Sequence, residues 1–377
     1  MGVAEASPAE VVSWRMRALG LTAPLLPEPS GDAVADVSRV ASRMFAVQGQ
    51  DWWGGRAALG LRTPGATLSD VHEAFNAGAL VRSWPMRGTI HLLAAEDIGW
   101  LQAATNHRVL PGAPKRRAMI GLSDADLARM TELTEAALAG GRLLSRAELA
   151  EEWRAGGVAV QGPWRYHVIW WLAQTGLITF GPTAAGGEPL AVLSQEWITS
   201  PRELSGEEAR AELATRFAAG RGPVTVRDLS WWSGLTVREA REAVRLASVA
   251  GRLVPVSTAG VEYWAEPALL DAPPVPAEGV WLLPPFDEHL LGYTEREFLL
   301  DPEHFGLLVP GRNGVFGATV VRDGRAVGLW KREPLASRVR VKVRAFPGQR
   351  LSAAELAEPV AALGRFLDSA VETVLSE

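Results

Sequence analysis

Three times in this chain a helix-like segment ends at a glycine and continues directly into a short apolar run. The three junctions read NAGALV at 76–81, QTGLIT at 174–179 and VAGRLV at 249–254. A glycine just past a helix adopts the left-handed conformation that ends it, so each junction predicts helix, C-cap and strand. Each apolar run is followed by turn residues and a second apolar run, which is typical of a two-stranded hairpin. The pattern therefore predicts one small folding unit used three times.

The segments before the second and third glycines indicate what that unit is. LSRAELAEEWRAGGVAVQGPWRYHVIWWLAQ and VTVRDLSWWSGLTVREAREAVRLASV each contain a short helix, a turn with a glycine and a longer helix. Two helices followed by a hairpin form the winged-helix arrangement, whose second helix typically docks in the major groove of DNA. Winged helices also serve as protein-interaction modules, so the fold alone does not select the partner.

A proline-rich stretch, DAPPVPAEG from Asp271, separates the repeats from a β-rich C-terminal part that ends in an amphipathic segment, LSAAELAEPVAALGRFLDSAVETVL. We therefore predict an α+β fold, with three tandem winged-helix units followed by a small β-barrel and a closing helix. The predicted parts are residues 1–107 for the N-terminal helices and first winged helix, 108–203 for the second, 204–270 for the third and 271–377 for the barrel.

Residue usage excludes several classes of site. The chain has no cysteine, which rules out disulfides, thiolate zinc sites, iron–sulfur clusters and a thiol nucleophile. Its six histidines form no HxxxH or HExxH pattern, so we expect no metal and no cofactor. No apolar run approaches the ~20 residues of a membrane span, and Glu5 and Glu10 precede any apolar stretch, unlike a secretory signal. We expect a cytoplasmic monomer without membrane contact.

The net charge of −5 does not favour a protein that coats nucleic acid, but the cations are concentrated locally. Residues 107–118, HRVLPGAPKRRA, hold four cations and no acid, and residues 325–350 hold eight against the single Glu333. Within the second stretch, cations alternate with valines, so a strand would place them on one face: Arg338, Arg340, Lys342 and Arg344. That face is either the solvated side of a half-buried strand or a surface that binds phosphate.

Two glutamines lie in VQGQDWW, directly after DVSRVASRMFA, whose spacing predicts an amphipathic helix. Gln48 continues the apolar side of that helix, and Gly49 is expected to end it. In one interpretation Gln48 caps carbonyls at the helix end. In the other, Gln48 and Gln50 orient a water molecule, and Asp51 stabilises a developing cation. Amides are weak acids and bases, so this chemistry needs a leaving group that is already charged, such as an N7-alkylated guanine.

Four ordered blocks connect this motif to a known family. AVQGQDWWGGRAALGLR, LVRSWPMRGTIHLL, PPFDEHLLGYTERE and NGVFGATVVRDGRAVGLWKR resemble the bacterial AlkZ/YcaQ family of winged-helix DNA glycosylases. The likeness runs from about Ser13 to the C-terminal helix. It implies a DNA glycosylase that removes N7-alkylated guanines from double-stranded DNA, including bulky adducts or interstrand crosslinks, in repair or in self-resistance to a DNA-alkylating natural product. It also implies Gln48 and Gln50 as the catalytic pair of the AlkZ-like branch, although Gly49 replaces the family's aliphatic middle residue.

Further candidate residues are assigned by type and position. Arg87, Thr89 and His91 alternate in MRGTIH, so they would share a face of the first wing that contacts either DNA or its own helix. The tryptophans after the motif stack on a base or belong to the core. The FDEH stretch at 286–289 suggests a metal or acid–base site or a structural cluster, and we favour the structural interpretation. The remaining candidate DNA contacts are Trp52, Lys115, Arg116, Arg117, Arg312 and Asn313.

The lysine positions bear on the type of glycosylase. The three lysines are at 115, 331 and 342, and none is close to the motif in sequence, so we expect no Schiff base and no strand cleavage by lyase chemistry. Two other functions fit the same sequence: a DNA-binding regulator without catalysis, and a protein that sequesters a DNA-reactive small molecule in a tryptophan-lined cleft. Release of a free base from alkylated DNA separates these functions from a glycosylase.

Overall fold

A computed structural model describes residues 4–184 and 186–376, and the fold is mixed α+β. The chain divides into two units. One comprises the residues up to Val71 together with those from Arg210 onward, and the other is His72–Ala209. This division follows the density of contacts, whereas the four predicted parts follow the repeats in the sequence. Those four parts therefore stay a prediction.

Helices and strands are numbered here in chain order. In the described residues the α-helices are α1 (Pro8–Ala18), α2 (Ala33–Met44), α3 (Trp52–Gly60), α4 (Leu68–Asn76), α5 (Ile98–Thr105), α6 (Ala113–Ile120), α7 (Asp124–Leu138), α8 (Arg146–Ala155), α9 (Trp164–Gln174), α10 (Ser194–Trp197), α11 (Gly206–Arg221), α12 (Val226–Ser233), α13 (Val237–Val249), α14 (Pro267–Asp271), α15 (Glu288–Leu291), α16 (Phe305–Leu308) and α17 (Ala353–Leu367). The strands are β1 (Ala4–Glu5), β2 (Ala46–Gln48), β3 (Leu80–Met86), β4 (Thr89–Ala94), β5 (Ile178–Thr183), β6 (Pro189–Leu193), β7 (Val254–Thr258), β8 (Val261–Ala265), β9 (Val280–Leu283), β10 (Thr319–Arg322), β11 (Arg325–Pro334), β12 (Val339–Ala345) and β13 (Val371–Ser376). Of the helices in these ranges, none has the length and hydropathy to cross a membrane.

The three predicted hairpins are confirmed as β3–β4, β5–β6 and β7–β8, each antiparallel. The helix before each hairpin ends with the same pair of hydrogen bonds. In the first, the N–H groups of Gly78 and Ala79 donate to the carbonyls of Phe75 and Ala74, and the other two junctions repeat this spacing. This is the Schellman motif, which requires a left-handed residue and so favours glycine. The φ angles are +77° at Gly78, +82° at Gly176 and +69° at Gly251.

In the unit His72–Ala209, the first two hairpins join through β3 and β5, giving the strand order β4-β3-β5-β6. Every residue of β3 is buried, as expected for a strand covered on both faces. Helices α7, α8 and α9 contribute to a core that includes Trp84, Trp153, Leu172 and Phe180. The helix pair α8–α9 is therefore fixed to the hairpin that follows it.

In the other unit, β1, β7 and β8 form a three-stranded sheet, and Trp14, Val256 and Tyr263 belong to the core cluster beside it. The C-terminal strands form a second sheet in the order β13-β12-β11-β10-β9. The predicted alternation in β12 is confirmed, because Val339, Val341 and Val343 are buried while the cations between them are more exposed.

The predicted C-terminal β-barrel is wrong, because the described strands form an open sheet with β9 and β13 at its edges. The prediction also extended the closing helix too far. α17 ends at Leu367, where Asp368 adopts a left-handed φ of +46°, and the chain continues as β13. β13 lies parallel to β12, and parallel neighbours need a crossover connection, which α17 provides. The last strand thus extends the outer edge of the sheet and does not return to β9.

Helix α17 also packs on α3, the helix that follows the glutamine motif. A methyl group at Gly60 would overlap the ring of Phe366, so glycine is required at this contact. Phe366 is almost fully buried. Helix α3, which follows the motif, is therefore held in place by a residue far away in the sequence.

Candidate active site

Gln48 does not lie on helix α2, contrary to the prediction. α2 ends at Met44 because Phe45 adopts φ +70° and ψ −68°, and the chain then runs extended to Gln48 as β2. Gly49 therefore does not end the helix, and Gln48 does not cap its carbonyls. A positive φ at a residue other than glycine costs on the order of 1–3 kcal/mol and persists only where surrounding contacts impose it.

Those contacts come from residues far away in the sequence. Phe45 is fully buried, and its ring centroid lies 5.7 Å from that of Trp232. Arg221 donates from Nη1 to the carbonyl of Met44 at 2.9 Å and from Nη2 to the carbonyl of Ala46 at 2.6 Å. One guanidinium thus bridges the residues on either side of Phe45 and holds the bend that leads to Gln48.

Arg221 is paired with Glu288, and both side chains are fully buried. Its Nε donates to Glu288 Oε2 at 2.8 Å. The other carboxylate oxygen, Oε1, accepts the backbone N–H of Gln48 at 3.1 Å. The segment from Met44 to Gln48 is therefore hydrogen-bonded at both ends to one buried ion pair.

The two glutamine side chains have different surroundings. Gln48 is only 5% exposed, and its Oε1 has no hydrogen-bond partner among the described residues. Gln50 is exposed. Buried amide oxygens are nearly always paired, so Gln48 Oε1 is an acceptor that a bound polar molecule would satisfy. The pair thus combines one amide inside the protein with one at its surface.

Asp51 begins helix α3. Its Oδ1 accepts the N–H of Gly54 at 2.6 Å, which is a standard N-cap interaction. An added Cβ at Gly54 would lie 2.7 Å from the carbonyl oxygen of Pro285, so the first turn of α3 packs closely on the segment before FDEH. The cap and the close packing fix the Asp51 carboxylate beside the glutamine pair.

Each of the two tryptophans that directly follow Asp51 has an arginine guanidinium over its ring. The guanidinium of Arg56 lies 4.4 Å from the ring centroid of Trp52, and that of Arg332 in β11 lies 4.5 Å from Trp53. Burial and then the charge of Arg332 lower the pKa of Arg56 to about 10, while Asp51 raises it. Burial also lowers the pKa of Arg332. Arg56 stays charged at neutral pH, and a pair of guanidiniums suits a phosphodiester.

The other two polar residues of FDEH are also buried and bonded to protein groups. Asp287 forms a bidentate pair with Arg62, with distances of 2.8 and 2.9 Å. His289 Nε2 lies 3.0 Å from the carbonyl oxygen of Gly324, and burial lowers the pKa of His289 to about 4, so the ring is neutral at pH 7. Asp287 is thus engaged by an arginine, and His289 carries no charge at neutral pH.

Asp301, Glu303 and His304 form the group of potential metal ligands found in the described residues, with ligand atoms within 4.8 Å of one another. Arg325 already pairs with Asp301 at 3.3 Å. The His304 ring stacks on Phe346 with centroids 4.6 Å apart. These protein contacts account for the group, and we assign it no metal.

The model of the DNA glycosylase AlkZ-like family matches residues 41–366. The chain belongs to the AlkZ-like family. A curated relative of this AlkZ-like protein, the interstrand DNA cross-link repair glycosylase of Streptomyces sahachiroi, is 27% identical over 350 residues, covering 87% of this chain and 88% of the relative. The solved structure of the Streptomyces sahachiroi DNA glycosylase AlkZ matches with a TM-score of 0.78 and 24% identity, covering 99% of this chain and all of that chain. Membership identifies the protein as a DNA glycosylase, a hydrolase of N-glycosyl bonds.

The wing residues of this AlkZ-like protein do not share one strand face as predicted. Arg87 lies in the turn between β3 and β4, with φ +54°. Thr89 is half-buried at the start of β4, and its hydroxyl donates to the Met86 carbonyl at 3.4 Å. His91 is fully buried, with Nδ1 3.1 Å from the Thr89 carbonyl oxygen. Because its ring has no exposed surface, we do not retain His91 as a DNA contact.

The other candidate DNA contacts lie on a helix and a loop. Lys115 and Arg116 are exposed on α6, whereas Arg117 pairs with Asp124 at 3.1 Å and lies 5.0 Å from the Trp171 ring centroid. In the other unit, exposed Arg312 and Asn313 follow Pro310. Asn313 Oδ1 accepts the N–H of Val315 at 3.0 Å. Lys115, Arg116, Arg312 and Asn313 therefore stay accessible.

Fewer cations in and beside strand β12 are available to bind phosphate than the sequence suggests. Arg338 and Arg340 both pair with Glu372, and Lys342 pairs with Glu333 at 2.7 Å. These acids stand on the neighbouring strands β13 and β11. The cation-rich face is therefore largely neutralised by the sheet itself.

Sequence reasoning missed the roles that four residues have around the motif. Arg332 lies in the cation-rich stretch 325–350, and Glu288 lies in FDEH, so both had a local signal. Arg56 follows Trp52 by one helical turn, which predicts a contact between them but no role. Arg221 carries no local signal, because its significance depends entirely on residues brought to it by the fold.

Proposed function

We propose that this AlkZ-like protein is a monofunctional DNA glycosylase that removes N7-alkylated guanine from double-stranded DNA, with bulky adducts or interstrand crosslinks as substrates. Gln48 and Gln50 orient the attacking water. The observation that supports this role is the buried Gln48 Oε1, which has no partner among the described residues. The relative named for interstrand cross-link repair supports the substrate class.

The proposed reaction needs little acid–base help from the protein. The oxygen of water attacks C1′ while the C1′–N9 bond breaks, and the electron pair of that bond neutralises the cationic guanine. The products are the free N7-alkylguanine and an abasic site, and the water proton leaves to solvent or to Asp51. Positioned amide oxygens and the Asp51 carboxylate stabilise positive charge on the sugar as it develops.

Cations around the motif supply contacts to the DNA backbone. Arg56 and Arg332 bind phosphates near the lesion. The residues that contact the surrounding duplex are Trp52, Arg87, Lys115, Arg116, Arg117, Arg312 and Asn313. Lys331 follows Trp330 and precedes Arg332 in β11, so its side chain points to the opposite face of the strand. This placement of Lys331 away from the face that carries Arg332 supports hydrolysis without lyase chemistry.

The wider assignments follow from the same proposal. Three winged-helix units, at residues 1–107, 108–203 and 204–270, present the duplex-binding surface. The protein acts as a cytoplasmic monomer in DNA repair or in self-resistance to a DNA-alkylating natural product. The repeated helix–glycine–hairpin junctions support the three units.

The test is an excision assay on duplex DNA with a single N7-methylguanine, a bulky N7 adduct or an N7–N7 interstrand crosslink. We expect release of the free modified base and an abasic site that breaks only after alkali treatment. The variant with both Gln48→Ala and Gln50→Ala should bind the same DNA and release no base above the spontaneous rate.

Three outcomes would contradict the proposal. Spontaneous-rate release from all three substrates would remove the glycosylase activity on N7 lesions. Unchanged excision by the double variant would remove the role of the two amides. Strand breaks without alkali would replace hydrolysis by lyase chemistry.

A further inference from the structure

The buried pair of Arg221 and Glu288 forms hydrogen bonds with the backbone that leads to Gln48. Arg221 donates to the carbonyls of Met44 and Ala46, and Glu288 accepts the N–H of Gln48. Both side chains are fully buried. Three backbone groups within one short segment are therefore held by two side chains that lie far away in the sequence.

The position of the pair is fixed from behind. Trp232 Nε1 donates to Glu288 Oε2 at 3.2 Å, and the guanidinium of Arg221 lies 4.6 Å from the Trp232 ring centroid. The hydroxyl of Tyr293 donates to the Arg221 carbonyl at 2.8 Å. Glu288 thus accepts three hydrogen bonds, from Arg221, Trp232 and Gln48, so its carboxylate has little rotational freedom.

A buried ion pair is weak evidence for stability, because removing both charges together is often neutral or stabilising. A second buried ion pair, Arg62–Asp287, includes the residue next to Glu288 and is bonded differently. Arg62 and Asp287 are also buried, and they are joined by two hydrogen bonds. In addition, Arg62 donates to the carbonyls of Leu19 and Ala58, and Asp287 accepts the N–H of His289. Of these two buried pairs, Arg221–Glu288 is the one whose hydrogen bonds go to the backbone of the motif segment.

The unfavourable conformation of Phe45 explains why these hydrogen bonds are needed. Phe45 has a positive φ, and Arg221 holds the carbonyls on both sides of it. If these bonds are lost, the backbone relaxes and Gln48 moves relative to the sugar. A displacement of about 1 Å of a positioning group lowers a rate on the order of 10²-fold.

We propose that Arg221 and Glu288 are positioning residues, which fix the backbone at Met44–Gln48 so that the Gln48 amide orients the attacking water. They do not touch the substrate. This inference rests on the proposed function, because it assigns the pair to the same hydrolysis.

The test compares Glu288→Gln with Asp287→Asn, which weakens the neighbouring ion pair. Single-turnover release of N7-methylguanine should fall on the order of 10²-fold in Glu288→Gln, with DNA affinity within about 2-fold of the parent. Asp287→Asn should lower thermal stability but keep the rate of the folded protein within about 3-fold. Equal rate losses in the two variants, or a loss of DNA affinity in Glu288→Gln, would overturn the proposal.

A double variant separates positioning from folding. Arg221→Met with Glu288→Gln removes both charges, so thermal stability should recover relative to either single change. The excision rate should stay low, because the carbonyls of Met44 and Ala46 still lack their donor. A rate that recovers together with the stability would show that the pair is only structural.

Hydrogen exchange gives a readout that does not depend on activity. Amide exchange of the peptide containing residues 44–50 should become faster in Glu288→Gln and stay unchanged in Asp287→Asn. Unchanged exchange in both variants would overturn the positioning role. If exchange behaves as expected while the parent protein releases no N7-alkylguanine, the positioning of the segment stands and the proposed function fails.

Discussion

Strand β12 carries far more charge than the segment from Met44 to Trp53, yet the segment is the stronger candidate for a functional site. The cations at Arg338, Arg340 and Lys342 are paired with acids at the surface. Such exposed pairs contribute about 0–1 kcal/mol each and are screened by salt. The Gln48 amide is buried, and its oxygen has no protein partner in the described part of the chain. A polar group left unsatisfied in the interior is the more specific sign of a site.

The largest effect should come from Gln48. In Gln48→Ala we expect the excision rate on N7-methylguanine DNA to fall roughly 10²–10³-fold, the range for one stabilising group in an active site. The melting temperature should fall only by the packing lost when a buried side chain is shortened, because the amide oxygen has no hydrogen-bond partner among the described residues. Lys342→Gln in β12 is the control and should leave the rate unchanged. A larger rate loss in Lys342→Gln would reverse the comparison between the two segments.

The next effect concerns the pH dependence of stability. Burial lowers the pKa of His289 to about 4, so the folded protein resists protonation that the unfolded chain accepts near pH 6.5. The free energy of unfolding should therefore be highest above pH 6.5 and fall as the pH drops toward 4, by up to about 3 kcal/mol from this group.

Urea unfolding between pH 7.5 and 4.5 measures this loss, and His289→Gln should flatten it. Glu372, beside β12, provides the contrast. The hydrogen bond from Arg340 lowers the pKa of Glu372, so its contribution is present above pH 4.5 and is lost only as the pH falls through the lowered pKa. An equally steep loss in His289→Gln would show that the buried ring does not cause the pH dependence.

The smallest effect should come from single cations. Arg332→Gln should weaken binding to lesion DNA about 10-fold and reduce the dependence of affinity on salt by about one unit, because Arg332 lies beside the motif. Arg344→Gln, on the exposed face of β12, should change affinity less than about 3-fold. Fluorescence anisotropy across a salt series measures both variants. Equal losses would mean that the general charge of the sheet, and not its position, determines the affinity.

Local patterns in the sequence predicted much of the fold. Gly78 and its two counterparts were identified as helix C-caps because a Schellman motif depends on a few adjacent residues. The alternation around Lys342 predicted a half-buried strand for the same reason. Helix α2 was predicted from its spacing, but its end was not, because Phe45 is held in an unfavourable conformation by Trp232 and Arg221.

Long-range relations account for the rest. Gln48 and Glu288 are separated by 240 positions, and nothing near either residue indicates that the two are bonded. The predicted barrel failed for a similar reason, because the pairing of β13 with β12 is decided by the path of α17. The family resemblance identified the glutamine pair, but the surroundings of that pair required the structure.

The packing of Phe366 on Gly60 has a consequence for the order in which the protein is completed. The glutamine motif lies near the start of the chain, whereas Arg221, Glu288 and Phe366, which hold it in place, are synthesised later. A nascent or prematurely terminated chain therefore carries the motif without the contacts that shape it.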